Sequence, residues 1–271
     1  MKLKFWKMSG AGNDFVCLDN RGGQLRLNKK QRSLLCHRQF GIGADGLLLI
    51  ESPARGADVD YVMRYFNADG GEAEMCGNGA RCFARYVQRV TRTRKKEIAF
   101  HTPAGTIRAS YHGDEVRVDL TPVKGGRLEI PVSTTQGNLI VHYADTGVPH
   151  VVVPVDDISK APVVSSGREL RHHPEFAPRG ANINFMQVRQ PGHIHVRTYE
   201  RGVEDETLAC GTGVAASAWV ARALFNFKSP IRVTVHSGKV LKVYFRLVKG
   251  CVEQVQLHGG ADFIYQGEID V

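Results

Sequence analysis

Two kinds of hydrophobic spacing run along the chain. One has a period of two. His193, His195 and Arg197 alternate with Ile194, Val196 and Thr198, the pattern of a strand with one buried face, and Tyr61–Phe66 also reads as a strand. Further strands are expected at Glu97–His101, Thr106–His112, Glu115–Leu120, Leu139–Tyr143, His150–Pro154, Ile231–His236, Val240–Val248 and Val252–His258. Glycine turns such as His112-Gly113-Asp114 and Ser237-Gly238 separate many of them. The other spacing is helical. Ala80, Phe83, Ala84 and Val87 form one apolar face, with Arg81, Arg85, Gln88 and Arg89 off it. The run from about Gly213 to Phe225 is apolar nearly all round, which predicts a helix buried in a sheet or barrel. A shorter helix is expected over Lys29–Phe40, capped by Asn28 and ended by Gly41. Pro122–Pro131, with Gly125-Gly126, reads as a linker.

Four elements of the first half recur in order in the second, each displaced by about half the chain. Ser9-Gly10 before Phe15-Val16 echoes Thr146-Gly147 before Val151-Val152. Gly43-Ala44-Asp45 echoes Gly180-Ala181-Asn182, and Phe66-Asn67 echoes Tyr199-Glu200. Cys76-Gly77-Asn78-Gly79 echoes Cys210-Gly211-Thr212-Gly213. Any one match is weak, but four in order point to a duplication. The expected fold is α+β, with two pseudo-symmetric domains, each a curved, mostly antiparallel sheet or barrel around a central helix. The expected division is 1–124 plus 261–271, carrying Cys76, and 125–260, carrying Cys210.

Composition narrows the classes. The chain has 271 residues, of which 42% are apolar, enough for two ordinary cores. The net charge of +9 admits an anionic partner. Its Lys and Arg are dispersed, however, and the one dense run, Arg89–Lys96, reads as a solvated helix end with no nucleic-acid motif beside it. The longest aliphatic run, Leu47–Ile50, is far too short to span a membrane. The basic N-terminus lacks the apolar core of a signal peptide, which favours the cytoplasm and reduced thiols. The six cysteines form no CxxC pair, so no metal site is expected. Cys17, Cys36, Cys82 and Cys251 read as small buried hydrophobes.

Cys76 and Cys210 read differently. Each stands where a Gly-rich turn opens into a helix, whose unpaired N–H groups and dipole favour a thiolate and can hold a carboxylate. If the halves face each other, an α-carbon between them can lose its proton to one sulfur and regain one from the other on the opposite face. Helix ends around the carboxylate would stabilise the charge that grows there. No dinucleotide fingerprint or pyridoxal lysine signature accompanies them, so no cofactor is expected.

Gly12-Asn13-Asp14-Phe15, Phe40-Gly41-Ile42-Gly43-Ala44-Asp45, Phe66-Asn67-Ala68-Asp69-Gly70, Cys76-Gly77-Asn78-Gly79-Ala80-Arg81-Cys82, Tyr199-Glu200-Arg201-Gly202 and Ala209-Cys210-Gly211-Thr212-Gly213 together resemble the diaminopimelate epimerases, from the first residues to the last. The resemblance implies interconversion of LL- and meso-diaminopimelate, a small-molecule substrate, and commonly a homodimer. It implies Cys76 and Cys210 as the acid–base pair, with His150 and Glu200 tuning them. It also implies Asn13, Asn67, Asn182, Glu200 and Arg201 as substrate contacts, and Gly77, Asn78, Gly211 and Thr212 as anion-binding helix ends. Read alone, His150 is as well a core or surface histidine, Asn78 and Thr212 are caps, and Glu200-Arg201 is a surface ion pair. Two positions depart from the family pattern. Val148 stands where an Asn usually precedes Pro-His, and Gly46 stands where a Gln often follows Ala-Asp. Both fall on substrate contacts, which keeps open a proline-racemase-like substrate on the same fold. The charge and the thiols also admit a non-catalytic thiol sensor or nucleic-acid-binding module.

Overall fold

The computed structural model describes residues 2–248 and 251–271, with Cys251 described by its backbone alone; the expectation that its thiol is buried lies outside the described side chains. The chain divides into two units, 1–119 with 259–271, and 120–258.

The first unit contains strands β1 (Lys2–Gly10), β2 (Asn13–Asp19), β3 (Gly46–Glu51), β4 (Tyr61–Asn67), β5 (Glu72–Ala73), β6 (Glu97–Thr102), β7 (Gly105–His112) and β8 (Glu115–Leu120), and the C-terminal strand Asp262–Asp270. The C-terminal strand pairs with β1, and the ladder continues β1–β2–β3–β4–β6–β7–β8. The β2–β3 and β4–β6 pairs are parallel and the others antiparallel; β5 is a short addition to β4. Helix α1 (Lys29–Cys36) follows β2, and helix α2 (Gly77–Thr91) follows β5.

The second unit repeats this plan. Strands β9 (Lys124–Thr134), β10 (Gly137–Asp145), β11 (Pro149–Pro154), β12 (Asn182–Gln190), β13 (His193–Glu200), β14 (Asp205–Thr207), β15 (Ile231–Thr234), β16 (Val240–Val248) and β17 (Cys251–Gly260) pair in the order β9–β10–β11–β12–β13–β15–β16–β17. The parallel pairs are again the second connection, β11–β12, and the one that skips the short strand, β13–β15. Helices α3 (Val163–Arg171) and α4 (Gly211–Phe225) hold the places of α1 and α2.

In each unit a central strand is buried on both faces, β3 throughout and β12 over its first half. Leu47 and Leu49 of β3 point to a core shared with Leu35 and Cys36 of α1. Their neighbours Leu48 and Ile50 are equally buried, and β3 touches α2 as well as α1. A strand covered twice needs apolar residues without alternation, which is what Leu47–Ile50 supplies. In the second unit Ile183 and Phe185 of β12 pack with Val163 and Leu170 of α3. Helix α4 contacts β10 to β13, β15 and β16, so its nearly all-apolar surface is enclosed as expected.

Four expectations need correction. Pro122–Pro131 is not a linker: β9 runs through it and pairs with β10, and Gly126 is needed because a side chain there would overlap the Trp219 ring of α4. Helix α1 stops at Cys36, well before Gly41. The His37 backbone is extended and its Nδ1 accepts the N–H groups of Gln39 and Phe40, while Ile42, Gly43 and Ala44 return to the last helical carbonyls. The Asn28 cap is present, with a reciprocal bond from the Gln31 side chain. The helix expected from about Gly213 starts at Gly211. Arg81 is not on a solvated face of α2 but fully buried, because α2 is enclosed at its start and the guanidinium folds back on the first turn.

Candidate active site

In the first unit Cys76 is the N-cap of α2, in extended backbone. Its sulfur accepts the Gly79 N–H at 3.4 Å, and its thiol donates to Asn13 Oδ1 at 3.5 Å. Asn78 Nδ2 also donates to Asn13 Oδ1, at 3.4 Å. The Asn13 amide is held from behind, since its Nδ2 donates to Asp45 Oδ2 at 2.8 Å. A carboxylate only accepts, so this bond turns the Asn13 oxygen toward Cys76. An acceptor facing the sulfur favours the protonated thiol, whereas the Gly79 N–H and the helix dipole favour the thiolate. The two influences oppose each other on one sulfur.

Asp45 belongs to a charged cluster beside Asn13. Arg38 reaches Asp45 Oδ1 at 2.8 Å and both oxygens of Asp14 at 3.1 Å, and Lys7, almost wholly buried, pairs with Asp14 at 2.7 Å and also donates to the Gly43 carbonyl. Burial alone would raise the Asp14 carboxyl, but hydrogen bonds from Arg38 and Lys7 outweigh it and hold it below the usual range. On the other side of Asn78, Arg81 donates to Asn78 Oδ1 at 3.0 Å and to the Gly77 carbonyl at 3.3 Å. A buried cation thus underlies the first turn of α2. Three other thiols behave as small hydrophobes: burial pushes Cys36 and Cys82 up to about 12 and raises Cys17 well above its ordinary value.

In the second unit Cys210 is the N-cap of α4, and its sulfur lies 3.5 Å from the Thr212 hydroxyl. Asn182 accepts the Arg201 N–H at 2.8 Å and donates to the Pro149 carbonyl at 3.2 Å, which fixes the backbone of Arg201 beside His150. Glu200 accepts the Thr207 hydroxyl at 2.9 Å. His150 is fully buried; burial, then the Arg201 charge, lower it to about 3. It is therefore neutral at neutral pH and influences its surroundings through hydrogen bonds and not through charge.

The ladder aligns the two units residue by residue. Phe15, Gly46 and Asn67 form one row across β2, β3 and β4, with Cys17, Leu48 and Tyr65 two residues along. In the second unit His150 stands opposite Asn182 and Val152 opposite Asn184 and Thr198, while Glu200 ends β13 beside this row. Gly46, one residue after Asp45, thus holds the place of Asn182. A side chain at Gly46 would lie 2.6 Å from the Tyr65 ring and 2.7 Å from the Phe66 carbonyl, so Tyr65 fills the space left by the departure at this position. Asn13, Cys76, Gly77 and Asn78 are brought together in one unit, and His150, Asn182 and Arg201 in the other; Cys210, Gly211 and Thr212 stand at the start of α4, where Asn184, which faces His150, lies against Gly213. Asn67 is exposed at the end of β4. Sequence reasoning missed Asp45, Arg81 and Asn184. Asp45 and Arg81 stood inside the motifs that carry the resemblance, without a role, and Asn184 showed only as a polar residue in apolar surroundings, in Asn182-Ile183-Asn184-Phe185. Among the described residues no group of three or more His, Cys, Asp or Glu is arranged to hold a metal ion, and no helix is long and apolar enough to cross a membrane.

Comparison with known proteins agrees with this picture. Solved structures share the fold at low identity. A PhzF-family phenazine biosynthesis protein of Bacillus anthracis has a TM-score of 0.76 at 15% identity, covering all of both chains. A probable proline racemase of Agrobacterium radiobacter K84 has 0.75 at 17%, covering 99% of this chain and 93% of its own. Residues 5–126 and 142–245 match the family model of diaminopimelate epimerase. The diaminopimelate epimerase of Aquifex aeolicus is 40% identical over 280 residues, 98% of each chain. That of Chlorobaculum tepidum is 39% identical over 97% of this chain and 99% of its own. A fold built twice, a cysteine at the start of each central helix and this full-length likeness converge: the chain belongs to the diaminopimelate epimerase family of isomerases.

Proposed function

We propose that this protein interconverts LL- and meso-diaminopimelate, in lysine and peptidoglycan precursor synthesis, by two-base proton transfer at the α-carbon without a cofactor. The observation that carries the reading is that Cys76 and Cys210 cap equivalent buried helices, α2 and α4. The reading requires both sulfurs to reach one α-carbon from opposite faces. In one direction Cys210, as thiolate, takes the α-proton while the Cys76 thiol gives one; in the other direction the roles exchange. The N–H groups at Gly77, Asn78, Gly211 and Thr212 receive the α-carboxylate, which gains charge as the carbon–hydrogen bond breaks, so they hold the transition state more tightly than the substrate. Asn13, Asn67, Asn182 and Glu200 contact the substrate's polar groups, and Arg201 pairs with the distal carboxylate. The acting form is a homodimer, checked by light scattering.

The test is incubation with diaminopimelate in deuterated water. Deuterium should enter the α-position of the epimerised product. Full activity in both Cys76→Ala and Cys210→Ala would falsify the reading.

A second reading, a related racemase with another substrate, is favoured by one observation: Tyr65 occupies the space at Gly46. A racemisation panel decides it, and faster turnover of proline or hydroxyproline than of diaminopimelate selects it.

A further inference from the structure

Asn184 lies on β12, two residues beyond Asn182, and is fully buried. Its carboxamide can be oriented in only one way. The Nδ2 end lies 3.0 Å from the Val151 carbonyl and 3.5 Å from the Asn182 carbonyl, and both of these only accept. The Oδ1 end receives the Thr198 hydroxyl at 2.9 Å. The same Nδ2 lies 3.2 Å from Nδ1 of His150, so it is a donor that faces that ring nitrogen. An N–H facing Nδ1 requires a lone pair there, and in a neutral imidazole the hydrogen then sits on Nε2. Nε2 of His150 is buried and has no hydrogen-bond partner among the described residues.

We infer that Asn184 is a positioning residue that locks His150 in the Nε2–H form, making His150 a hydrogen-bond donor to an anionic oxygen of the substrate and not an acceptor of its proton. The ligand class follows from two facts. A buried N–H without a partner is unfavourable until an acceptor oxygen reaches it. The Arg201 charge acts at the same place, lowering the proton affinity of His150, and it attracts an anion. A carboxylate oxygen satisfies both. The assignment of that carboxylate rests on the function proposed above; the ring's protonation does not.

The test separates the two. Long-range nitrogen–proton spectra of the histidine-labelled full chain, with His150 identified by its loss in His150→Gln, report which ring nitrogen carries hydrogen. Wild type is expected to show hydrogen on Nε2 alone at neutral pH. Hydrogen on Nδ1 there overturns the inference even if the enzyme epimerises diaminopimelate. Absence of deuterium exchange in wild type removes the functional reading while leaving the ring assignment standing. Asn184→Asp places an acceptor opposite Nδ1 and should move hydrogen onto it, with kcat/KM at least about tenfold lower. Asn184→Leu is the gentler change, since Leu48 holds the same ladder position in the first unit. It should give a mixture of the two ring forms and a smaller loss of kcat/KM. Unchanged ring state and unchanged kcat/KM in whichever of these variants folds overturns the inference.

Discussion

Gly79 of α2 and Gly213 of α4 hold the same place, three residues after the cysteine, yet face different surroundings. A methyl group on Gly79 would meet Phe15 and Leu48 at 3.4 to 3.5 Å, ordinary contact distances. On Gly213 it would overlap the carboxamide oxygen of Asn184. The first unit therefore backs its cysteine with hydrocarbon and holds it from the side, through Asn13 and Asp45. The second unit puts a hydrogen-bonded cluster of Asn184, Thr198 and His150 directly behind the helix start. The two units share a backbone plan and differ in what surrounds each sulfur.

The largest expected effect asks whether the two sulfurs are chemically equivalent despite this difference. Cys76→Ala and Cys210→Ala should each lower kcat by about two to four orders of magnitude, the range for a lost acid or base. A loss confined to one variant, in steady-state epimerisation assays, breaks the equivalence.

The next concerns His150, whose ladder counterpart in the first unit, Phe15, does not titrate. Its folded-state value lies near 3, below the ordinary 6.5. Above 6.5 neither the folded nor the unfolded form binds the proton. As pH falls from 6.5 toward 3 only the unfolded chain does, so stability is lost, at up to about 1.4 kcal/mol per pH unit. Urea unfolding of wild type and His150→Gln should converge as pH falls through that window; parallel curves would remove His150 from the comparison.

A smaller effect isolates the glycines. Gly213→Ala should cost about 1–3 kcal/mol, as overpacking does, whereas Gly79→Ala should stay within about 1 kcal/mol, with a gain in helix propensity. Equal shifts in denaturation midpoints would contradict the contrast. The smallest is at Asp45. Asp45→Asn frees the Asn13 amide to rotate, and kcat/KM should fall by about tenfold or less, while the melting temperature changes little because the carboxylate is partly exposed.

Much of this was legible in the residues. The strand Glu115–Leu120 and the strand Val240–Val248 begin and end where their alternation does. The two central helices are announced by Gly-rich starts and apolar faces. The remainder failed for physical reasons. β3 has no alternation because helices cover both its faces. β9 carries Gly125-Gly126, which resembles a turn signal, but Gly126 serves close approach to Trp219. Arg81 looked solvated because helical periodicity assumes an open side, which the first turns of α2 lack. At the site, the cysteines and glycines were readable because the chain shows them twice. Asp45 and Asn184 act through amide orientation, a property of three-dimensional neighbours that no local spacing records.

The return of the C-terminal strand to β1 has a consequence for how the molecule is made. Residues 120–258 form one uninterrupted stretch, so the second unit is made in one piece before the strand Asp262–Asp270 is added to the first. The first unit, although its first strands are made earlier, waits longer: one edge of β1 stays bare until the strand Asp262–Asp270 has left the ribosome. A nascent chain stalled short of Asp262 would carry a complete second half and an unfinished first.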